Sequence, residues 1–125
     1  MIAVVDDEES VRKAIARLLT AAGYAARSFA SGTEFLDQGM SEPPECLILD
    51  LQMPGLSGVE VQRALNRCGA RIPVLMLSAG ESSGAREECL REGAAAYLCK
   101  PVDERILFNA LSSALTAEKA EPADA

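Results

Sequence analysis

Five short apolar runs punctuate the chain: Ile2–Val5, Ala25–Phe29, Cys46–Leu49, Val74–Leu77 and Ala95–Cys99. The first, third and fourth are unbroken hydrophobic stretches, the pattern of strands buried on both faces. The second carries Arg27 and Ser28 and reads as an edge strand. Between the runs, apolar residues recur at helical spacing. Val11, Ile15, Leu18, Leu19 and Ala22 form one stripe, closed by Gly23 as a C-cap. Ser31, with Glu34 three residues on, predicts a capping box opening a short second helix. Val61, Ala64, Leu65 and Cys68 make a third stripe that stops at Gly69. A fourth helix, over about 83–92, has only Ala85, Cys89 and Leu90 to bury, so it is expected to be the weakest and most mobile. Asp103 caps a fifth helix with Leu107, Leu111, Ala114 and Leu115 on its inner face, and Phe108 at the edge of that stripe reads as core. From Ala117 onward the residues are small and polar with one proline, so the chain is expected to fray there.

The strand starts fall roughly 20 to 30 residues apart, the length of a repeating βα unit. Alternation of this kind predicts an α/β fold, a parallel sheet with helices on both faces joined by right-handed crossovers. For five strands the expected order is 2-1-3-4-5, the flavodoxin-like (βα)5 arrangement. Its crevice lies at the carboxyl ends of strands 1 and 3, where the order reverses. The 125 residues suffice for one domain. It is placed at 1–117, with 118–125 as a polar tail or the start of a linker.

Composition narrows the function. At 49% hydrophobic and 25% charged, the chain is not disordered. No apolar run approaches the roughly 18 residues of a membrane span, and the first nine residues lack the basic start of a secretory signal. A net charge of −7 argues against direct nucleic-acid binding, which needs a basic surface. The absence of histidine removes His-based triads, His-ligated zinc and phosphohistidine chemistry together. Cys46, Cys68, Cys89 and Cys99 include no CxxC pair, so they are expected to be reduced packing thiols of a cytoplasmic protein.

The residues ending each strand show what faces the crevice. Strand 1 ends in Asp6 and Asp7, strand 3 in Asp50, strand 4 in Ser78, and strand 5 in Cys99 and Lys100. Two carboxylates 4 Å apart repel by about 4 kcal/mol at an effective dielectric near 20. Three must therefore protonate, pair with Lys100 or bind a cation, and an all-oxygen set suits Mg²⁺. Asp6 and Asp7 have a plainer reading as caps of the first helix, which is also the reading for Glu8 and Glu9. Asp50, at the end of a buried strand, is a candidate nucleophile able to form an acyl phosphate. Ser78 and Lys100, each a weak signal alone, fit phosphoryl transfer as donor and counter-charge.

The segments VVDDE (Val4–Glu8), LILDLQMPGLSG (Leu47–Gly58), PVLMLSA (Pro73–Ala79) and AYLCKP (Ala96–Pro101) resemble, in order and spacing, the receiver domain of two-component response regulators. The resemblance covers about residues 1–117, and DLQMPGLSG is most similar to receivers of nitrogen-fixation-type transcriptional regulators. It implies Asp50 as phosphoacceptor and Asp7 as a direct Mg²⁺ ligand, with Asp6 acting partly through water. It further implies Gln52 as a ligand through its backbone carbonyl, its side chain mattering little. Ser78 would be the switch hydroxyl, Tyr97 the switch aromatic and Lys100 the phosphate partner, with a cis Lys100–Pro101 bond. Taken without the resemblance, Tyr97 is a ring on the last strand with its hydroxyl in water.

The implied function is a phosphorylation-activated switch, regulatory rather than enzymatic beyond self-phosphorylation and self-dephosphorylation. Its partners would be a histidine kinase and a homodimer or downstream effector, with output through helix 4, strand 5 and helix 5. Two other classes compete. A haloacid dehalogenase-type phosphatase needs a second acidic residue where Gln52 stands. A nucleotide-binding flavodoxin-like module needs a glycine-rich loop where Asp6–Glu9 stand.

Overall fold

The computed structural model describes residues 1–80 and 84–120, with backbone only for 117–120. The strands are β1 (Ile2–Val5), β2 (Ala26–Phe29), β3 (Cys46–Asp50), β4 (Val74–Ser78) and β5 (Ala96–Cys99). They alternate with α1 (Glu9–Ala21), α2 (Gly32–Gln38), α3 (Gly58–Arg67), α4 (Ala85–Arg91) and α5 (Glu104–Ala120), and one 3-10 turn spans Gly39–Ser41. All pairings are parallel and the order is β2-β1-β3-β4-β5, as the alternation predicts.

Every residue of β1, β3 and β4 is buried, which is why these runs are unbroken. Successive side chains point to opposite faces, so each strand feeds two cores. On one face Val5, Leu49 and Met76 meet Phe35, Val61, Leu65 and Cys89 from α2, α3 and α4. On the other, Val4, Ile48 and Leu75 meet Ile15 and Leu19 of α1 and Leu107 and Leu111 of α5. The edge strand β2 is only partly covered, and Arg27 lies over the Phe29 ring at 5.0 Å.

Several local expectations change. Ser31 Oγ accepts the Glu34 N–H at 3.0 Å, but the Glu34 carboxylate turns back to the Ala30 N–H rather than closing a reciprocal box. The complete capping box forms instead at Ser57 and Glu60, where both bonds are present. Leu90 is 41% exposed, leaving α4 with Cys89 as its one buried side chain. The exposed side of α4 is tied to α3 by polar contacts: Arg63 bonds Glu88 at 3.0 Å and Glu92 at 2.9 Å, and Asn66 donates to the Glu92 carbonyl. Only Cys46 and Cys89 are packing thiols. Burial pushes the Cys46 thiol up to about 12, whereas Cys68 and Cys99 are exposed. Ala22 is also exposed, and Phe108 is half-buried against the α1–α5 core. The backbone of α5 runs on through Ala120, past the point where fraying was expected. Positions 121–125 of the expected tail, and the expected start of the fourth helix at 83, lie outside the described residues.

Gly58 opens α3 directly beneath the end of β3. A Cβ there would lie 2.8 Å from the Asp50 carbonyl oxygen, 2.9 Å from Leu51 Cα and 2.7 Å from Met76 Sδ. Two of these neighbours are backbone and cannot rotate aside. Gly58→Ala is expected to cost about 1–3 kcal/mol, as overpacking does, and to displace Asp50. Equilibrium denaturation in urea checks it; a midpoint equal to the original would show that α3 shifts without strain.

Candidate functional site

Asp6 is fully buried just past β1, and its two oxygens do different work. Oδ1 accepts the Glu8 N–H at 2.9 Å, an Asx turn that leads the chain into α1 rather than a side-chain cap of the helix itself. Oδ2 faces the Lys100 ammonium at 2.9 Å, an ion pair off hydrogen-bond alignment. Glu8 occupies the N-cap position of α1 without bonding it through its side chain. It reaches Lys100 at 3.5 Å instead, so it belongs to the rim of the site rather than to the helix alone. Glu9 does stay on the helix, paired with Lys13.

Asp50 ends β3 with 1% exposure, beside Leu77 of β4. Lys100 follows β5, its N–H donating to the Ser78 carbonyl at 2.7 Å, and its peptide bond to Pro101 is cis, as the resemblance implied. The Lys100 ammonium lies 3.3 Å from Asp50 Oδ1. Asp6, Asp7 and Asp50 each offer an oxygen within 4.8 Å of the others, with Asp7 on the exposed side. The topology brings together residues from positions 6, 7, 50 and 100 because β1, β3 and β5 all end at the same edge of the sheet.

The electrostatics follow from this crowding. Burial, then the charge of Asp6 and the neighbouring Asp7, pushes the Asp50 carboxyl up to about 6 against the opposing pull of Lys100. Burial alone would pull Lys100 down; its close contact with Asp6 and the charges of Asp50 and Asp6 outweigh that and hold it above its ordinary value. Three carboxylates against one ammonium leave the pocket net negative. Hard oxygen donors, converging and undercompensated, are the donor set that a small divalent cation takes.

Two other predicted site residues sit differently from their expected roles. The buried Ser78 hydroxyl donates to the Gly80 carbonyl, and the Gly80 N–H returns to Ser78 Oγ at 3.3 Å, so the hydroxyl is spent within its own loop. The Tyr97 ring is half-buried against the α2–α3–α4 core, and its hydroxyl is buried, with no hydrogen-bond partner among the described residues, rather than standing in water. Gln52 also exceeds its expected part. Its N–H donates to Asp50 Oδ1 at 3.3 Å, and its side-chain oxygen accepts the Ala79 N–H at 3.1 Å. No sequence signal marks that bond, since its ends are 27 residues apart. Alongside the pocket, an apolar groove of about 460 Å³ runs between α1 and the Lys100–Val102 segment, lined by Val11, Ala14, Leu18 and Pro101.

A doubly wound parallel sheet with a buried carboxylate, two acidic neighbours and a lysine at its switch point defines an α/β domain with a cation-ready acidic pocket at its carboxyl edge. The chain belongs to the response regulator receiver domain family, which matches residues 2–112. It is 34% identical to the transcriptional regulatory protein FixJ of Azorhizobium caulinodans over 124 residues, covering 98% of this chain and 59% of that protein. Response regulator MprA of Mycobacterium tuberculosis is 38% identical over 122 residues, covering 98% of this chain and 53% of MprA. Among solved structures, a response regulator receiver protein from Burkholderia phymatum aligns with a TM-score of 0.81 at 44% identity, covering 92% of this chain and 94% of that one. FixJ-N aligns with a TM-score of 0.86 at 30% identity, covering 98% and 95%. The chain thus spans between half and three-fifths of the length of these two curated relatives. It is a receiver domain of the two-component type, a phosphorylation-responsive regulatory module, and the phosphatase and nucleotide-binding readings give way to this one.

Proposed function

We propose that Asp50 accepts the phosphoryl group and that the signal leaves through the β4–α4 loop and the α4–β5–α5 surface. The observation that carries this is the Asp50 carboxylate itself, buried at the switch point between Asp6 and Lys100. Asp6, Asp7 and Asp50, with the Gln52 backbone carbonyl, would hold Mg²⁺. When bound, the ion supplies charge neutralisation for the phosphoryl oxygens. An Asp50 oxygen forms the new bond to phosphorus while the donor's leaving group departs with the electrons of the old one, giving an acyl phosphate. Lys100, already 3.3 Å from Asp50, pairs with the added charge. Ser78 reaches a phosphoryl oxygen only by giving up Gly80, and Tyr97, opposite Met76 on β5, packs further inward as the loop moves.

These 125 residues contain no histidine, so a phosphohistidine donor lies outside them, and a histidine kinase in the cytoplasm is the partner of this chemistry. The groove along α1 shares Glu8 and Lys100 with the acidic pocket, which places a partner helix laid there beside the site. Leu90 and Ile106, 41% and 53% exposed on α4 and α5, offer apolar contacts to a second copy or an effector. The receiver is placed at 1–117, with 118–125 as a tail or linker start. Catalysis is confined to its own phosphorylation from small donors and its own dephosphorylation. The test is intact mass after incubation with acetyl phosphate: one phosphoryl group added with Mg²⁺ and none after chelation supports the reading, and no addition in either overturns it.

Ser78→Ala is expected to take up phosphate yet fail to transmit it, because alanine cannot make the charge-assisted bond that draws the loop inward. Hydrogen exchange across 79–105, with and without beryllofluoride as phosphoryl mimic, checks this. The original protein should change there and Ser78→Ala should not; equal responses would remove Ser78 from the pathway.

A further inference from the structure

Two loops flank Asp50: the one that follows it and the one that follows Ser78. Among the described residues a single side-chain hydrogen bond joins them, from the Ala79 N–H to Gln52 Oε1 at 3.1 Å. The same residue's backbone N–H rests on Asp50 Oδ1. One residue thus touches both the acceptor carboxylate and the loop that must move. Ala79 is the immediate neighbour of Ser78, so an inward move of the loop backbone that brings Ser78 toward Asp50 carries the Ala79 N–H with it. Among the described residues, the resting loop is held by Ser78 on Gly80 and by Gln52 on Ala79.

We propose that the Gln52 side chain is a positioning residue that latches the β4–α4 loop in its resting place and so sets how readily the domain switches. This deepens the reading of Asp50 as phosphoacceptor and rests on it. The bond to Gln52 exists in the resting state and is given up when the loop closes on the phosphoryl group. Removing it therefore destabilises the resting state alone, and the closed state gains in population. One net hydrogen bond corresponds to roughly a 2- to 10-fold change in that equilibrium.

The experiment compares the original protein with Gln52→Met, which keeps the length of the side chain and loses the acceptor, and Gln52→Glu, which keeps an acceptor oxygen. Beryllofluoride affinity is measured with Mg²⁺ for the original and Gln52→Met. Exchange of the Ala79 amide is followed by NMR in all three without the mimic. Gln52→Met is expected to bind beryllofluoride about 2- to 10-fold more tightly, following from the net worth of one hydrogen bond. Its Ala79 amide should exchange faster, and Gln52→Glu should restore the slow exchange, which a loss of packing would not. Unchanged or weaker affinity in Gln52→Met, or Ala79 exchange indifferent to the substitution, would overturn the latch. Should the original protein bind no beryllofluoride at all, the Asp50 reading falls and takes the latch with it, an outcome distinguishable from failure of the latch alone.

Discussion

Asp50→Asn is expected to take up no phosphoryl group from acetyl phosphate while keeping its fold. An amide of the same shape fills the same buried space but is not an anion and does not attack phosphorus. Asp6 is buried and already occupied by the Glu8 N–H and Lys100, so it is no substitute nucleophile. Asp7 is exposed on the rim, without a lysine against it in the ion pairs of the described residues. Loss should therefore be complete rather than partial, read as an unshifted intact mass beside a normal melting curve. Full labelling of the variant would mean that Asp50 is not the acceptor.

The second large effect concerns the crowded carboxylates. In the metal-free protein the Asp50 carboxyl titrates near 6, against 3.8 for an unperturbed group. A raised folded-state value means that this group's stabilising contribution is fully present below pH 3.8 and lost as pH rises through about 6. Over that window the loss is at most about 3 kcal/mol at 1.36 kcal/mol per unit. Asp50→Asn lacks this titration, so its stability relative to the original protein should rise between pH 4 and pH 7 when Mg²⁺ is absent. A cation binding only the folded state adds RT ln(1 + [L]/Kd), about 2.7 kcal/mol at a hundredfold excess over Kd. Millimolar Mg²⁺ should therefore stabilise the original protein at neutral pH and flatten the pH dependence, and Asp7→Ala should lose most of that gain. Thermal melts across pH with Mg²⁺ and with chelator measure both effects. A melting temperature indifferent to Mg²⁺ would count against the pocket as a cation site.

How much of this was visible in the chain depends on how local each cause is. Ile2–Val5, Cys46–Asp50 and Val74–Ser78 are strands buried on both faces, and unbroken runs of apolar residues state that without reference to anything else. Asp6, Asp50 and Lys100 are polar residues where those runs and the last strand stop, and parallel strands all stop at one edge. Convergence of the carboxylates with the lysine therefore follows from the alternation of elements plus the reversal of strand order. Exposure is less local. The stripe places Leu90 in the core, but α4 is two turns long and held from outside by Arg63, so its rotation is set by α3 rather than by its own pattern.

By itself the sequence determined the α/β architecture, the strand order and the set of groups at the switch point, because hydrophobic period and chain direction are properties of single segments. The tertiary structure alone decided how those groups divide among partners. Lys100 lies nearer Asp6 than Asp50, Glu8 joins it from the N-cap position of α1, the Tyr97 hydroxyl is shut away from water, and Gln52 reaches Ala79 across 27 residues. Each of these is a distance between segments remote in the chain. Hydrogen bonds weaken steeply outside a narrow range of distance and angle, so these contacts are settled only when the packed elements fix the loops between them.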